Sequence, residues 1–423
     1  MKPSASSSPK RTPSGLHIAL ADRIALLGAE QWQAATSGAS WFFSRDYLSM
    51  LEGVLPAAIE PRYALIGNAA GPLAAVVLQW AKLEGRNLRP RVASNGAADD
   101  ADDEDDASPL RRLFGAVARR GADALASQVR ERVLVCGNLL TYGQHAVALA
   151  PGADATLAWS GVAEVIYRLR RAEKLAGQPG FVVVKDLPAG GRDDDGGVAL
   201  LSRVGYREAD TEPNLVLALD AKWKTHGDYL ASLASKYRSN VKNRVLAPIE
   251  AAGLSVRRFA PDDALGARMH ALYLQVHERA ALRPFTLHAG YFSALARAAG
   301  PRLRCSGIFG SDDSTLLGFI CTLDDGVQAL AYHIGFDRDA AKTQPLYLRL
   351  LHASIDDAMA MGARELSFGR TALEPKSRLG ATARPTAVWV RHRQPMMNRL
   401  VQPLLGLAHP DEAPDVHPFK HGS

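Results

Sequence analysis

The sequence is poor in cysteine. Its 423 residues hold Cys136, Cys305 and Cys321 and no C-x-x-C pair, which argues against a disulfide framework and a Cys-rich zinc site. Reduced thiols point to a cytoplasmic protein. No two of the 36 glycines stand two apart, so G-x-G occurs nowhere. That excludes the dinucleotide fingerprint and the kinase glycine loop. G-x-S-x-G, G-x-x-x-x-G-K-[ST] and H-E-x-x-H are absent too. His270 and His277 lie seven apart on one predicted helix, a spacing commoner in surface or core residues than in ligands, and no metal is expected. The Ser/Pro-rich start, Met1–Gly15, lacks the apolar stretch of a secretory signal and reads as a floppy tail. The most apolar window, Tyr63–Ala81, is broken by Gly67, Asn68, Gly71 and Pro72, so it reads as two strands and a turn. No transmembrane helix is expected.

What remains is an ordinary globular balance, with 47% hydrophobic and 22% charged residues. The length suggests two or three domains and a core that needs no staples. The net charge is +6, but seven acids crowd into Asp99–Asp106; without them the formal charge would be +13. The folded body is therefore basic. It suits an anionic ligand or partner (a nucleic acid, a phosphorylated cofactor, a membrane surface), or is simply a basic solvated surface.

The two halves share an order of elements. In the second, Leu303–Phe309, Leu316–Leu323 and Val327–Phe336 read as strands joined by tight turns at Gly310–Ser314 and Asp325–Gly326. A helix follows, with Leu348, Leu351, Ile355 and Met359 on one stripe. Gly362 ends it, and Arg364–Phe368 is a short strand. This β-β-β-α-β order makes the fourth strand parallel to the third and the sheet mixed. Ligands favour the place where such strand ends meet the helix start. The first half shows a looser version. A hairpin spans Arg62–Ile66 and Leu73–Trp80, then come the acidic run and a helix over 109–127. Strands at Arg132–Cys136 and His145–Leu149 precede a helix at Leu157–Ala176, a strand at Phe181–Lys185, the loop Gly190–Gly197 and a strand at Leu215–Leu219. Asp220–His226 is the expected boundary. Beyond it lie one amphipathic helix over Gly227–Pro248, with stripe Leu230, Leu233, Tyr237 and Val241, and another over Ala264–Ala281. The tail from about His409 is expected to be extended or disordered.

Ala331–Ala381 runs as a strand, a polar loop, a helix ending Met-Gly-Ala, a strand ending Phe-Gly-Arg and a Glu-x-Lys-x-x-x-Gly-Ala turn. In that order it resembles the acyltransferase domain of the GNAT superfamily. It looks closest to the branch related to Fem-type peptidoglycan aminoacyltransferases, which carry two such domains in tandem. Asp228–Leu246 is similar to the helix that opens the second domain there, and Trp41–Glu52 and Val135–Ala148 to first-domain segments. The resemblance implies an α/β fold of the α+β type: two GNAT-like domains, each a mixed sheet flanked by helices. The expected divisions are a tail at 1–14, a first domain at 15–220 with an acidic loop at 96–108, an active second domain at 221–395 and an extension at 396–423. CoA-using members carry a glycine-containing R-x-x-G-x-G/A loop for the pyrophosphate, where this chain has Arg338–Pro345 without glycine. Fem-type relatives also lack that loop and use aminoacyl-tRNA. Acyl-CoA and aminoacyl-tRNA both stand as donors, without a metal. The acceptor would be an amine on a small or envelope-related molecule, with tRNA as a possible partner.

Acyl transfer to an amine needs a proton acceptor, oxyanion donors and cations for phosphates. The resemblance places Glu374 at the ligand end as base or amine anchor, or else as a plain surface carboxylate paired with Lys376 or Arg378. Arg370, Lys376 and Arg378 are clamp candidates, with Lys376 also taken as catalytic. Tyr332 and His333 lie on the third strand, where alternation lets only one face the cleft; His333 is a second base candidate. Thr343 and Gln344, at the helix start, suit caps first and donor phosphate second. Lys236, Arg238 and Lys242 form a basic helix side, solvated or anion-binding. Asn138, Gly143 and His145 resemble a polar turn at the first domain's cleft. A degenerate domain that binds without turnover is the non-enzymatic alternative.

Overall fold

The computed structural model describes residues 13–84, 130–173, 179–189, 196–279, 285–406 and 413–420. The acidic run, the helix expected over 109–127, and most of the N-terminal tail and of the Gly190–Gly197 loop lie outside those residues.

The described strands are β1 (His17–Ala21), β2 (Ile59–Asn68), β3 (Gly71–Glu84), β4 (Arg130–Cys136), β5 (Val147–Leu149), β6 (Phe181–Pro188), β7 (Arg207–Ala218), β8 (Ser255–Phe259), β9 (Leu303–Phe309), β10 (Leu316–Asp324), β11 (Ala329–Phe336), β12 (Glu365–Gly369) and β13 (Thr382–His392). All join one sheet in the order β1-β2-β3-β4-β6-β13-β7-β12-β11-β10-β9-β8, with β5 beside β3. The mixed α/β architecture matches the sequence expectation. The expected β-β-β-α-β run is present: β9, β10 and β11 are antiparallel neighbours, the Leu346–Ala360 helix crosses over, and β12 lies parallel to β11. Asp325 fixes the β10–β11 turn, its Oδ1 accepting the N–H groups of Val327 and Gln328, each at 2.8 Å.

Hydrogen bonding crosses the boundary expected near 220. β7 begins at Arg207, eight residues before the expected strand, and pairs with β12 on one side and β13 on the other. β13 in turn pairs with β6. The polar start of β7, READTEPN, hides its strand character, because apolar alternation is the signal that sequence reading uses. Apolar burial also joins the halves: Phe42, Tyr47, Leu48 and Leu51 of the first pack in one core with Leu272, Tyr291, Phe292 and Phe319 of the second. The opposite face of β9–β12 is covered by the Leu346–Ala360 helix and by Tyr229, Leu230 and Ile249.

The helix expected over 227–248 is broken. His226–Ser232 and Ser235–Val241 are separated at Leu233–Ala234, and a π-helical turn, Lys242–Leu246, leads into Ala247–Ala251. The cause is distant in sequence. The Ala234 N–H donates to Pro418 O at 2.8 Å and the Lys420 N–H to Ser232 O at 3.0 Å, so the C-terminal segment pairs with the break. Phe419 packs against Trp223, ring centroids 5.6 Å apart, and over Gly380. Residues 413–420 are thus extended and anchored. Among the described residues no helix is long and apolar enough to cross a membrane.

One detour shapes the site. β3 pairs with β4 as far as Leu78↔Cys136 and resumes with β5 at Val76↔Val147. The ten residues between leave the sheet at Val77, whose C=O accepts the Gly137 N–H at 2.8 Å and whose N–H donates to Ala146 O at 2.9 Å. β4 and β5 are therefore one strand interrupted by a looped-out segment, 137–146.

Candidate functional site

β11 and β12 pair only at Ala329↔Leu366 and Leu330↔Ser367. Beyond that, β11 follows β10 to Phe336 and β12 follows β7 to Gly369. The two parallel strands open into a fork towards their C-terminal ends. Past Leu330 the main-chain groups of β11 that face β12 have no strand partner among the described residues. The helix that joins them runs back along the sheet, so its start lies at the open mouth of the fork.

The looped-out segment reaches the fork's inner end. The Tyr142 hydroxyl lies 3.1 Å from Ala331 O and 3.2 Å from Ser367 O, one carbonyl from each diverging strand. Its ring lies over Gly369, whose φ of +78° is open to glycine at little cost. Burial holds the Tyr142 phenol protonated by raising its pKa, so it serves as a donor here.

A buried charge cluster fixes this segment. Asp186, fully buried, accepts from Lys185 Nζ at 2.6 Å, from the Gly143 N–H at 3.0 Å and from Arg370. Burial would raise the Asp186 pKa, but Arg370 and Lys185 override it and hold the carboxyl at about 2. Lys185 Nζ also donates to Thr141 O at 2.7 Å. Asp186 sits at φ +63°, a conformation that Asp tolerates better than most residues. It coincides with an irregularity in the β6–β13 pairing between Ala387 and Trp389.

Asn138 anchors the start of the segment. Its Oδ1 accepts the Leu140 N–H at 2.9 Å and its Nδ2 donates to the Tyr47 hydroxyl at 2.7 Å. From there a chain of phenols enters the second half. Tyr332 OH lies 3.5 Å from Tyr47 OH and 3.0 Å from Tyr291 OH, and donates to Leu140 O at 3.1 Å; His333 Nε2 lies 3.2 Å from Tyr291 OH. Alternation predicted that only one of Tyr332 and His333 faces this side. Both do, because the pairing steps from Cys321↔His333 to Thr322↔Ala331 and leaves Tyr332 as the extra residue of a bulge. Burial lowers the His333 pKa to about 3, so its imidazole is neutral. His145, packed 4.5 Å from Phe42, is likewise held at about 3 by burial first and the Lys185 cation second.

The other sequence candidates lie on separate elements and make local contacts of their own. Glu374 and Arg378, each about half exposed, form an i,i+4 pair at 2.5 Å on the Leu373–Arg378 helix. Lys376 is buried on the same helix and donates to Thr371 O. Thr343 is exposed, its Oγ1 donating to Ala340 O at 3.3 Å. Gln344 is half-buried, and its Oε1 has no partner among the described residues. Pro345 caps the Leu346–Ala360 helix without a side-chain hydrogen bond. Asp337 occupies the preceding loop, its Oδ1 accepting the N–H groups of Asp339 and Ala340, each at 3.1 Å. Arg238 is half-buried and donates to Leu233 O at 3.3 Å, while Lys236 and Lys242 are exposed. His270 Nε2 lies 2.9 Å from Leu287 O, and His277 stacks on Tyr273. Among the described residues no group of three or more His, Cys, Asp or Glu could hold a metal ion.

Sequence reading singled out Asn138, Gly143 and His145 but missed Tyr142, Lys185, Asp186, Tyr47 and Tyr291. The one signal in the sequence was the run N-L-L-T-Y-G-Q between the expected strands Arg132–Cys136 and His145–Leu149; that both strands share β3 shows only in the structure.

Residues 235–377 match the family model described as an acetyltransferase (GNAT) domain. No curated protein matches the chain. Among solved structures, one of FemX aligns with a TM-score of 0.51 at 11% identity, over 88% of this chain and 98% of that one. A tandem GNAT protein from the clavulanic acid biosynthesis pathway, solved without AcCoA, aligns with a TM-score of 0.50 at 11% identity, over 90% of this chain and 99% of that one. Residues 235–377 are thus similar to the acetyltransferase (GNAT) domain family, and the chain as a whole shares its fold with FemX and with that tandem GNAT protein.

Proposed function

We propose that the protein is an N-acyltransferase that passes an acyl group from an activated donor to an amine at the β11/β12 fork. The acceptor is an amine on a small or envelope-precursor molecule. The observation that carries this reading is the pairing of β11 and β12 over two positions only, followed by divergence beside a helix start. The unpaired main-chain groups along the fork suit an extended donor, and N–H groups among them suit the oxyanion of a tetrahedral adduct.

In the proposed reaction the amine nitrogen attacks the donor's carbonyl carbon. A C–N bond forms and the donor's C–S or C–O bond breaks. The amine gives up a proton and the leaving sulfur or oxygen takes one. Glu374, the exposed carboxylate beside the mouth, anchors the amine and receives its proton. Tyr332 and the neutral His333 form the wall at the bulge. Arg370 and Lys376, both turned inward, hold the turn that carries Glu374. Arg378 balances its charge. Thr343 and Gln344 meet the donor's polar end, and Arg238 and Lys242 meet an anionic partner.

One observation favours a second donor. The Asp337 carboxylate already holds the amides of Asp339 and Ala340, in the loop where a pyrophosphate would need free ones. That favours aminoacyl-tRNA over acyl-CoA. Incubating the protein and a panel of primary amines with radiolabelled acetyl-CoA, and separately with charged tRNA, tests both. Amide product from one donor, with kcat reduced at least tenfold in Glu374→Gln, is the expected result. No amide from either donor would overturn the reading.

A further inference from the structure

Tyr142 belongs to the first half of the chain, yet its hydroxyl is bonded at the apex of the second half's fork. The placement is built. The segment is tied at its base to Val77, its Asn138 is held by Gln79 and Tyr47, and Asp186 and Lys185 grip Gly143 and Thr141. The ring lies against Gly369 on the β12 side, and Tyr332 reaches back to Leu140 O from β11. The phenol's one O–H proton is thus shared between two carbonyls, one from each diverging strand, and its ring closes the inner end of the slot.

We infer that Tyr142 is a specificity-determining residue that sets how deep a transferred group can enter the fork, restricting the protein to short acyl groups. This rests on the fork being the transfer site. An extended donor enters at the mouth, where the helix starts, and its acyl end points to the apex. A rigid ring fastened there excludes chains that would have to pass it. The cost of admitting a longer chain is to break the hydroxyl's shared bond and take its proton from both carbonyls, a penalty that falls on each wrong substrate.

The test compares the wild type with Tyr142→Ala, Tyr142→Leu and Tyr142→Phe across acetyl-, butanoyl-, hexanoyl- and octanoyl-CoA. A parallel series uses glycyl-, alanyl-, leucyl- and phenylalanyl-tRNA. The wild type should favour the smallest group of the donor class it uses. Tyr142→Ala should raise kcat/KM for the longest group relative to the shortest at least tenfold, with Tyr142→Leu between. Tyr142→Phe keeps the ring but loses the hydroxyl that fastens it, so it should relax the preference less than Tyr142→Leu does, a graded order that a merely structural role would not give. Should Tyr142→Ala fail to fold, Tyr142→Leu carries the comparison. Transfer by the wild type with the same order of preference in the folded variants overturns this inference alone. Absence of transfer from every donor in every form overturns the fork as the site, and this inference with it.

Discussion

Asp186 and Arg370 lie 184 residues apart and meet as a buried ion pair across the two halves of the chain. The same carboxylate holds Lys185 and the Gly143 N–H, so it joins β6, the looped-out segment and the turn after β12. Asp186→Asn keeps a side chain that tolerates the positive φ and removes the charge. Two cations are then left without their partner away from water. The expected loss is about 3–5 kcal/mol of unfolding free energy, read by urea denaturation. A loss below about 1 kcal/mol would show that the cluster does not hold the halves together.

Four histidines make the protein acid-labile well above the range of its carboxylates. His145 and His333 are held neutral with pKa values of about 3 and His226 with one of about 4, while His352, buried and bonded to His226 at 3.0 Å, lies well below its ordinary value. Above pH 6.5 each is neutral folded and unfolded alike, and none contributes a pH dependence. Below pH 6.5 the unfolded chain takes up protons that the folded chain refuses, so stability falls as pH falls, by up to about 1.4 kcal/mol per pH unit per histidine. Asp186 adds a further loss as pH drops from about 4 towards 2, because its folded pKa is depressed. Melting temperature should therefore decline between pH 6.5 and 4, and a flat profile there would contradict the burial of these imidazoles.

Phe419 should matter although only four residues of this sequence follow it. Its ring covers Gly380 and Trp223, and its segment pairs with the helix break at Leu233. Phe419 is half-buried, so Phe419→Ala is expected to cost about 1–3 kcal/mol, less than a fully buried aromatic would. Gly380→Ala should be comparably damaging: Gly380 sits at φ +94° and its Cβ would stand 2.3 Å from the Phe419 ring. Differential scanning calorimetry of the two variants checks both. Unchanged melting would mean that the tail does not anchor the break.

Glu374 should separate activity from stability. Its pair with Arg378 is exposed and spaced i,i+4, so Glu374→Gln should change unfolding free energy by no more than about 0.5 kcal/mol. A proton acceptor would still lose most of its turnover. Full kcat in this variant across pH 6–9 would remove Glu374 from the proposed mechanism.

The legible part of the fold was the part whose signals are local. Leu303–Phe368 shows alternation, tight turns and a helical stripe in an order that fixes strand direction, and β9 to β12 follow it. What sequence reading missed came from distant partners. The break at Leu233 is imposed by Phe419, and nothing in the stripe of Leu230, Leu233, Tyr237 and Val241 announces it. The bulge at Tyr332 is a mismatch with β10, which period-2 reasoning has no means to see. The polar start of β7 is held by β13, almost two hundred residues on. At the site, residues next to the final strand were found because the resemblance points there. Tyr142 and Asp186 were not, because they reach the fork from the other half, and single-chain spacing is blind to that.

The most direct measurement is hydrogen exchange by mass spectrometry, with and without whichever donor supports transfer. Slowed exchange confined to peptides covering 331–337 and 367–372 is the predicted result, since the unpaired main-chain groups of the fork would be covered by the donor. Donor binding that leaves those peptides unchanged, and instead slows exchange where β4 and β6 part beyond Cys136 and Val184, would contradict the account.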